Sequence, residues 1–360
     1  MPHEKDRRRD ERLRATLDMV APGRPLREGL ERILRAESGG LIVLGDEDVA
    51  AVVSGGFRID EEFTAQRLSE LAKMDGAIVL TPDAGRIVRA NVHLVPDPSI
   101  PTDESGTRHR TAERVAKQTA RPVVAVSQSM RVVTLYVDST KHVLEEIPAI
   151  LTRANQALQT LERYKQRLDE VSATLSALEV EDLATLREVL TVVQRVEMVR
   201  RIAHEIETLA TELGSEGRLV RLQLDELIGG VDQERGHLVR DYVQPTRRRP
   251  LERTLDALEA LSPEELLDPA AVCKAMTLDA AHENLDQQIS PKGYRLLSKI
   301  PRLPQPVIDR IVARFGRVQK VMTASIDDLL SVDGVGAARA TLIKEGLTRL
   351  AESSLLDRYL

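Results

Sequence analysis

Between Pro25 and Ser38 the apolar residues Leu26, Leu30, Ile33 and Leu34 recur mostly at three- and four-residue steps, which predicts an amphipathic helix. Gly39-Gly40 stops it, and Leu41-Ile42-Val43-Leu44 follows as a strand. Gly45 to Asp48 reads as a turn, and Val49 to Val53 as a second strand ended by Ser54-Gly55-Gly56. A helix opening at Glu61 or Thr64 carries Leu68, Leu71 and Met74. Apolar runs then predict strands at Ala77–Leu80, Ile87–Val95, Pro122–Ser127 and Val132–Val137. Between them Ala112, Val115, Ala116 and Thr119 share one helical face, with Thr107 the candidate N-cap. Helices and strands intermix without strict alternation, so residues 1–140 are expected to form an α+β domain, one mixed sheet flanked by helices. The charged first dozen residues are expected to fray.

From Lys141 the character changes. Strand signals vanish, and Ile147, Leu151, Ala154, Leu158 and Leu161 step by four and three. The step to Tyr164 is only three, after which Leu168, Val171, Leu175 and Leu178 resume, a stammer that predicts one long bent helix. Further helices are expected over Leu183–Leu213 and Leu219–Ile228, with Gly229-Gly230 a break, Arg247-Arg248-Arg249-Pro250 a loop, and helices again from Leu251. Residues 141–286 thus read as an all-α spacer, and 287–360 as a separate all-α tail.

Composition sharpens this. No run of eighteen apolar residues occurs, so no membrane span is expected. Met1 to Asp10 lacks an apolar stretch after its charges, unlike a secretory signal. The single cysteine, Cys273, cannot form an internal disulfide and reads as core filler. A cytoplasmic protein is expected. The absence of tryptophan disfavours base-stacking nucleic-acid modules. The net charge of −6 argues against general DNA coating, but from Gln287 onward twelve Lys or Arg face seven Asp or Glu. A basic tail on an acidic body points to a polyanion.

Two stretches carry candidate chemistry. Gly106-Thr107-Arg108-His109-Arg110-Thr111 opens the helix with three potential cations, the wrong sign for a helix N-terminus. Free N–H groups, guanidinium forks and a hydroxyl suit a polyphosphate. Alternatively, Asp103 and Glu104 neutralise the cluster as surface pairs. Asp75-Gly76 precedes an apolar strand, and a carboxylate near a phosphate cradle is a metal-ligand or general-base candidate. Ser127, at a strand end, either touches ligand or caps a turn. Together Asp75-Gly76-Ala77, Ala90-Asn91-Val92-His93-Leu94-Val95-Pro96 and the Thr-Arg-His-Arg-Thr run resemble the signature motifs of the diadenylate cyclase domain.

In the tail, Val332-Asp333-Gly334-Val335-Gly336 lies between the helix-like segments Ser325–Leu330 and Ala337–Leu350. An apolar-x-Gly-apolar-Gly turn is the hairpin of helix-hairpin-helix proteins. Its glycines let backbone N–H groups reach a DNA phosphate, with Arg339 and Lys344 adding attraction. A degenerate partner spans Ile300 to Pro304, with Arg302 at the glycine position. A protein-interaction role is the alternative for this tail. The whole order resembles diadenylate cyclases that end in a helix-hairpin-helix pair. The resemblance implies a cytoplasmic, nucleoid-associated homo-octamer that joins two ATP into cyclic di-AMP and binds branched DNA in DNA damage sensing. It places ATP contacts on Asp75, Gly76, Leu94, Thr107, Arg108, His109, Arg110 and Thr111. Mg2+ or Mn2+ is the expected cofactor, with Asp75 its ligand. A non-enzymatic nucleotide-binding DNA-repair scaffold is the alternative. A motor is disfavoured because no G-x-x-x-x-G-K-[ST] loop occurs, and a ligase would have only Lys73 nearby as nucleophile.

Overall fold

The computed structural model describes residues 2–45, 47–243, 250–278 and 284–356, with the backbone alone for 2–8, 47–48 and 353–356. Arg247, Arg248 and Arg249 lie outside the described residues. Helices α1 (Pro2–Met19) and α2 (Pro25–Arg35) precede strand β1 (Gly40–Leu44), β2 (Val53–Ser54) and β3 (Phe57–Glu62). Then come α3 (Ala65–Leu71), β4 (Ala77–Leu80), β5 (Arg86–Leu94), α4 (Thr107–Thr119), β6 (Val123–Ser127), β7 (Val132–Val137) and β8 (Thr140–Val143). The rest is helical: α5 (Ile147–Val180), α6 (Leu186–Glu212), α7 (Arg218–Ile228), α8 (Val231–Tyr242), α9 (Leu251–Glu259), α10 (Pro263–Leu267) and α11 (Pro269–Ala275). The chain closes with α12 (Tyr294–Ser298), α13 (Gln305–Phe315), α14 (Val318–Thr323), α15 (Ile326–Leu330) and α16 (Ala337–Leu356). Two compact units result, residues 1–156 with 205–223, and 157–204 with 224–360.

In the first unit the sheet runs β2-β5-β4-β1-β6-β7-β8, with β3 also on β5. Only β1 and β4 pair in parallel; the other pairings are antiparallel, so the sheet is mixed as the pattern predicts. Alternation assigns the faces. Ile42, Leu44, Ile78, Leu80, Val124 and Val126 pack with Leu17, Leu26, Leu30 and Ile33 of α1 and α2. Leu41, Val43, Val79, Val123 and Ala125 turn to the other face, against Ala112, Val115 and Ala116 of α4. Helices therefore cover both faces, and α4 is clamped to the sheet by its apolar stripe.

Four expectations are corrected. The charged N-terminus forms helix α1 instead of a frayed run. Val49 to Val52 is a 3-10 turn (Glu47–Val52), because Val49 and Val52 bury at a three-residue step while Ala50 and Ala51 face solvent; only Val53 enters a strand. Strand β3 was invisible because Phe-Arg-Ile-Asp-Glu-Glu turns only Ile59 toward the core. Strand β8 carries sheet pairing past residue 140, onto Lys141 and His142.

In the second unit the predicted seam of α5 is buried at Leu158, Leu161, Leu168 and Leu175 within one uninterrupted helix. The tail repeats one motif. Arg302, after α12, and Gly334, after α15, both take a left-handed backbone, at φ +61° and +79°. Leu297, Ile300 and Leu303 around the first turn and Leu329, Val332 and Val335 around the second share one core. Buried polar groups tie α12 to the spacer helices. The Asp241 carboxylate accepts N–H bonds from Gly293, Tyr294 and Arg295 at 2.6, 2.7 and 2.9 Å. Burial, reinforced by the nearby Glu179, pushes the Asp241 carboxyl up to about 7, against the pull of those three donors. Arg295, wholly buried, lies 2.6 Å from Glu179 and 2.8 Å from Glu234.

Candidate active site

The two signature stretches converge on one end of the sheet. Ile42 of β1 stands opposite Ile78 of β4, so two residues back Gly40 is level with Gly76; on the other side Gly40 pairs with Val126 of β6. Asp75-Gly76 and the end of β6 are therefore about two strand spacings, roughly 10 Å, apart. This is the amino end of the parallel pair, not the carboxyl end where open α/β sheets bind ligands.

Each side chain has a local reason for its place. Gly76 has φ +98°, and a Cβ there would stand 2.9 Å from the Val92 carbonyl oxygen, backbone that cannot yield. Asn91, also left-handed at φ +54°, donates from Nδ2 to the Asp75 carbonyl at 2.5 Å and so fixes the turn from β5. Asp75 itself is exposed. Leu94 is half-buried beside the core under α4.

Helix α4 starts at Thr107, not after it. Gly106 is the N-cap, extended at φ −79° and ψ 136° with no side-chain cap, which corrects the Thr107 expectation. The first-turn N–H groups thus keep no side-chain partner at the cap. Arg108 Nη1 donates to the Val126 carbonyl at 3.3 Å, and its guanidinium lies over Gly39, where a Cβ would collide with Nη1. Gly39 therefore leaves room for Arg108 as well as helping to stop α2. Arg110 donates to the backbone carbonyls of Ser105 at 2.9 Å and Glu104 at 3.4 Å. Thr111 is half-buried on the next turn. The Glu104 carboxylate does not pair with these arginines. It accepts from Tyr136 at 2.8 Å and pairs with Lys141 at 2.6 Å. Burial raises the Glu104 pKa, but the Lys141 and Tyr136 bonds outweigh it and leave it below the usual range.

His109 is not the third cation that the motif suggests. Burial pushes its pKa down, and Lys141 and Arg108 add to this against Glu104. Its Nδ1 lies 2.9 Å from the Tyr136 hydroxyl. Ser127 is buried and its hydroxyl accepts from Met130 N at 3.3 Å, capping the turn into β7. Tyr136 and Lys141 are marked by nothing local, and the sequence gives no sign that Gly39 seats Arg108, that Asn91 braces Asp75 or that Glu104 pairs with Tyr136 and Lys141. The one available signal was Asn91, a residue type that tolerates left-handed backbone.

Among the described residues no three His, Cys, Asp or Glu cluster to hold a metal. Asp75 fits the mode of a hard cation that takes one carboxylate and fills its shell with substrate phosphate oxygens and water.

At the tail hairpin Gly334 and Gly336 are exposed, and space around Gly336 is open. Arg339 Nη1 donates to the Gly334 carbonyl at 2.6 Å, bracing the turn. Lys344 donates to Met322 O at 2.8 Å, anchoring α16 on α14.

Replacing Arg108 by Ala should weaken ATP binding about tenfold to a hundredfold, since a hydrogen bond to a charged group contributes roughly 1.5–3 kcal/mol. Titration calorimetry checks this; unchanged affinity would remove Arg108 from the phosphate cradle.

Residues 27–141 match the family model described as DisA bacterial checkpoint controller nucleotide-binding, and residues 144–285 match the DisA bacterial checkpoint controller linker region. The DNA integrity scanning protein DisA of Acidothermus cellulolyticus is 59% identical over 362 residues, covering 99% of this chain and 98% of that one. Its counterpart in Streptomyces avermitilis is 61% identical over 351 residues, covering 96% and 94%. With the nucleotide-binding and linker regions both matched and the relatives spanned almost end to end, the chain belongs to the DNA integrity scanning protein DisA family and is a diadenylate cyclase.

Proposed function

We propose that the chain condenses two ATP into cyclic di-AMP with release of two pyrophosphates, and that its tail binds branched DNA by the phosphate backbone. The observation that carries this is that the open α4 N-terminus, the Arg108 guanidinium and Asp75-Gly76 stand at one sheet end, two strand spacings apart across β1. In this reading Thr107, Arg108, Arg110 and the α4 N–H groups hold the triphosphate, with His109 and Thr111 beside it. Gly76 lets the nucleotide approach the backbone, and Leu94 lines the site. Ser127 shapes its floor through the turn it caps. Asp75 accepts the proton of an attacking 3′-hydroxyl and ligates Mg2+ or Mn2+. That ion, when bound, supplies positive charge to the phosphates.

Each chain holds one cradle, whereas the product joins two adenylates by two 3′–5′ links. Each 3′-hydroxyl attacks the other nucleotide's α-phosphate in line, forming the new P–O bond as the bond to pyrophosphate breaks. Two cradles must therefore face each other across an isologous contact. We place such pairs within a homo-octamer. A strictly monomeric species with full specific activity in sedimentation and dilution would exclude pairing.

The tail's phosphate hook is assigned to Gly334 and Gly336, with Arg339 and Lys344 bracing it. Backbone contact makes recognition structure-selective. No helix among the described residues is long and apolar enough to cross a membrane, and DNA binding would place the chain on the cytoplasmic nucleoid. The test is labelled ATP with Mg2+ or Mn2+, resolved by chromatography, with and without a four-way DNA junction. Cyclic di-AMP supports the reading; ATP bound but unchanged would favour a nucleotide-binding repair scaffold. Gly334→Glu puts an anion and a Cβ on a left-handed turn where Arg310 closes in at 2.5 Å. It should weaken junction binding by about tenfold or more and spare cyclase activity without DNA. Unaltered junction binding in an electrophoretic shift would take the hairpin out of DNA recognition.

A further inference from the structure

We propose that Tyr136, Glu104 and Lys141 are positioning residues for the cyclase reaction, holding His109 as the Nδ1–H tautomer so that its Nε2 lone pair accepts an O–H or N–H donor of the bound nucleotide. This rests on the nucleotide reading above.

The proton bookkeeping follows from geometry. Lys141 pairs with Glu104 at 2.6 Å, so that carboxylate is ionised and only accepts. Tyr136, almost wholly buried, lies 2.8 Å from Glu104 and spends its one O–H proton there. The tyrosine oxygen is then left as an acceptor, and at 2.9 Å it takes the Nδ1–H of His109. In a neutral imidazole the other nitrogen, Nε2, must carry the lone pair. That nitrogen is buried and has no hydrogen-bond partner, an orphan acceptor beside the open first turn of α4. A protonated His109 would instead bury a second N–H with nothing to accept it. The relay is assembled from the loop before α4, from α4, from β7 and from β8, where Tyr136 and Lys141 face each other across the ladder. The charged groups acting on His109 are Arg108 on its own helix, Glu104 on the loop and Lys141 on β8. Glu113 on α4 acts on Tyr136. Burial and the Glu104 bond push the Tyr136 hydroxyl far above its ordinary range, so it stays a fixed dipole rather than a titrating one.

The chain predicts opposite responses. Lys141 disfavours imidazolium and Glu104 favours it. Lys141→Met should therefore move the acid limb of kcat/KM for ATP to higher pH, and Glu104→Gln should move it lower. Comparison with wild type cancels the nucleotide's own titration. Tyr136→Phe keeps the ring packing but frees the tautomer, and should lower kcat/KM about tenfold, the worth of one hydrogen bond. Binding of 2′-deoxy-ATP, 3′-deoxy-ATP and purine riboside triphosphate, each lacking one donor, identifies the partner. The analogue that loses affinity to wild type but not to His109→Phe lacks the group Nε2 accepts from. Limbs that stay put or move together, or no analogue coupled to His109, would overturn the relay. Wild type that neither binds nor turns over ATP would instead overturn the nucleotide reading itself.

Discussion

Asp75→Asn should lower cyclic di-AMP synthesis by about 10²–10⁴-fold, the usual range for loss of a general base, while the protein stays folded. The substitution keeps side-chain shape and removes charge and basicity alone. The fold should tolerate it, because Asp75 is exposed and the turn is held by other means. Its backbone carbonyl, not its carboxylate, accepts from Asn91, and Gly76 supplies the left-handed step. The deficit should lie in kcat more than in ATP affinity, since the Arg108 end of the cradle is untouched two strands away. Single-turnover kinetics with labelled ATP, alongside calorimetric ATP binding, separates the two. Wild-type turnover in a pure, folded variant would remove Asp75 from the chemistry.

Arg295→Met should destabilise the second unit by about 3–5 kcal/mol, the cost of stranding a buried charge. Arg295 and Glu179 are both fully buried, 2.6 Å apart, and Glu234 stands 2.8 Å from the same guanidinium. Arg295 also donates to Ser172 Oγ at 2.8 Å. Methionine fills much of the volume but leaves Glu179 with the Tyr242 hydroxyl, 2.6 Å away, and no cation within the pair. The pH dependence has a definite sign. In the wild type burial raises Glu234, but Arg295 outweighs it and holds the carboxyl below its ordinary value. That stabilisation is present above the ordinary carboxylate range and fades as pH falls through the folded value. In the variant Glu234 loses the guanidinium that holds it down and keeps, of its cations, only the weaker pull of Lys299. The gap between variant and wild type is therefore widest near neutral pH and narrows on acidification. Denaturant unfolding of both proteins at several pH values measures it. Adding Glu179→Gln to Arg295→Met should recover part of the loss, because the stranded charge is gone. Stability within about 1 kcal/mol of wild type at neutral pH would mean the ion cluster is dispensable, as some buried pairs are.

Short-range periods account for much of the fold. The helical stripe of α2, the apolar strands β1, β4 and β6, and the seam of α5 each depend on a short-range period that burial then obeys. The mixed sheet flanked by helices followed from the order of those elements. The repeated turn of the tail was legible even in its degenerate copy, because Arg302 adopts the left-handed backbone that Gly334 adopts in the other. Strand β3 and the 3-10 turn at Glu47–Val52 were not legible. A polar edge strand takes its pairing from β5, and valines at a three-residue step mimic a strand run in composition alone.

The residue chemistry divides the same way. The Asp75-Gly76 turn and the cation-rich start of α4 are written in consecutive residues, since each motif needs only neighbours in the chain. That these two motifs share one sheet end was decided by strand order, which sets β4, β1 and β6 side by side. Only the tertiary structure holds His109 below its ordinary pKa, through burial first and Lys141 next, against Glu104, and sets its Nδ1 against the Tyr136 hydroxyl 27 residues on. It alone decided that Arg295 is a buried cation and not a surface one, through partners such as Ser172, 123 residues earlier. Local pattern records which side chains want burial or charge. Protonation and pairing depend on the dielectric and the donors that folding brings within about 3 Å, and those come from segments no local period connects.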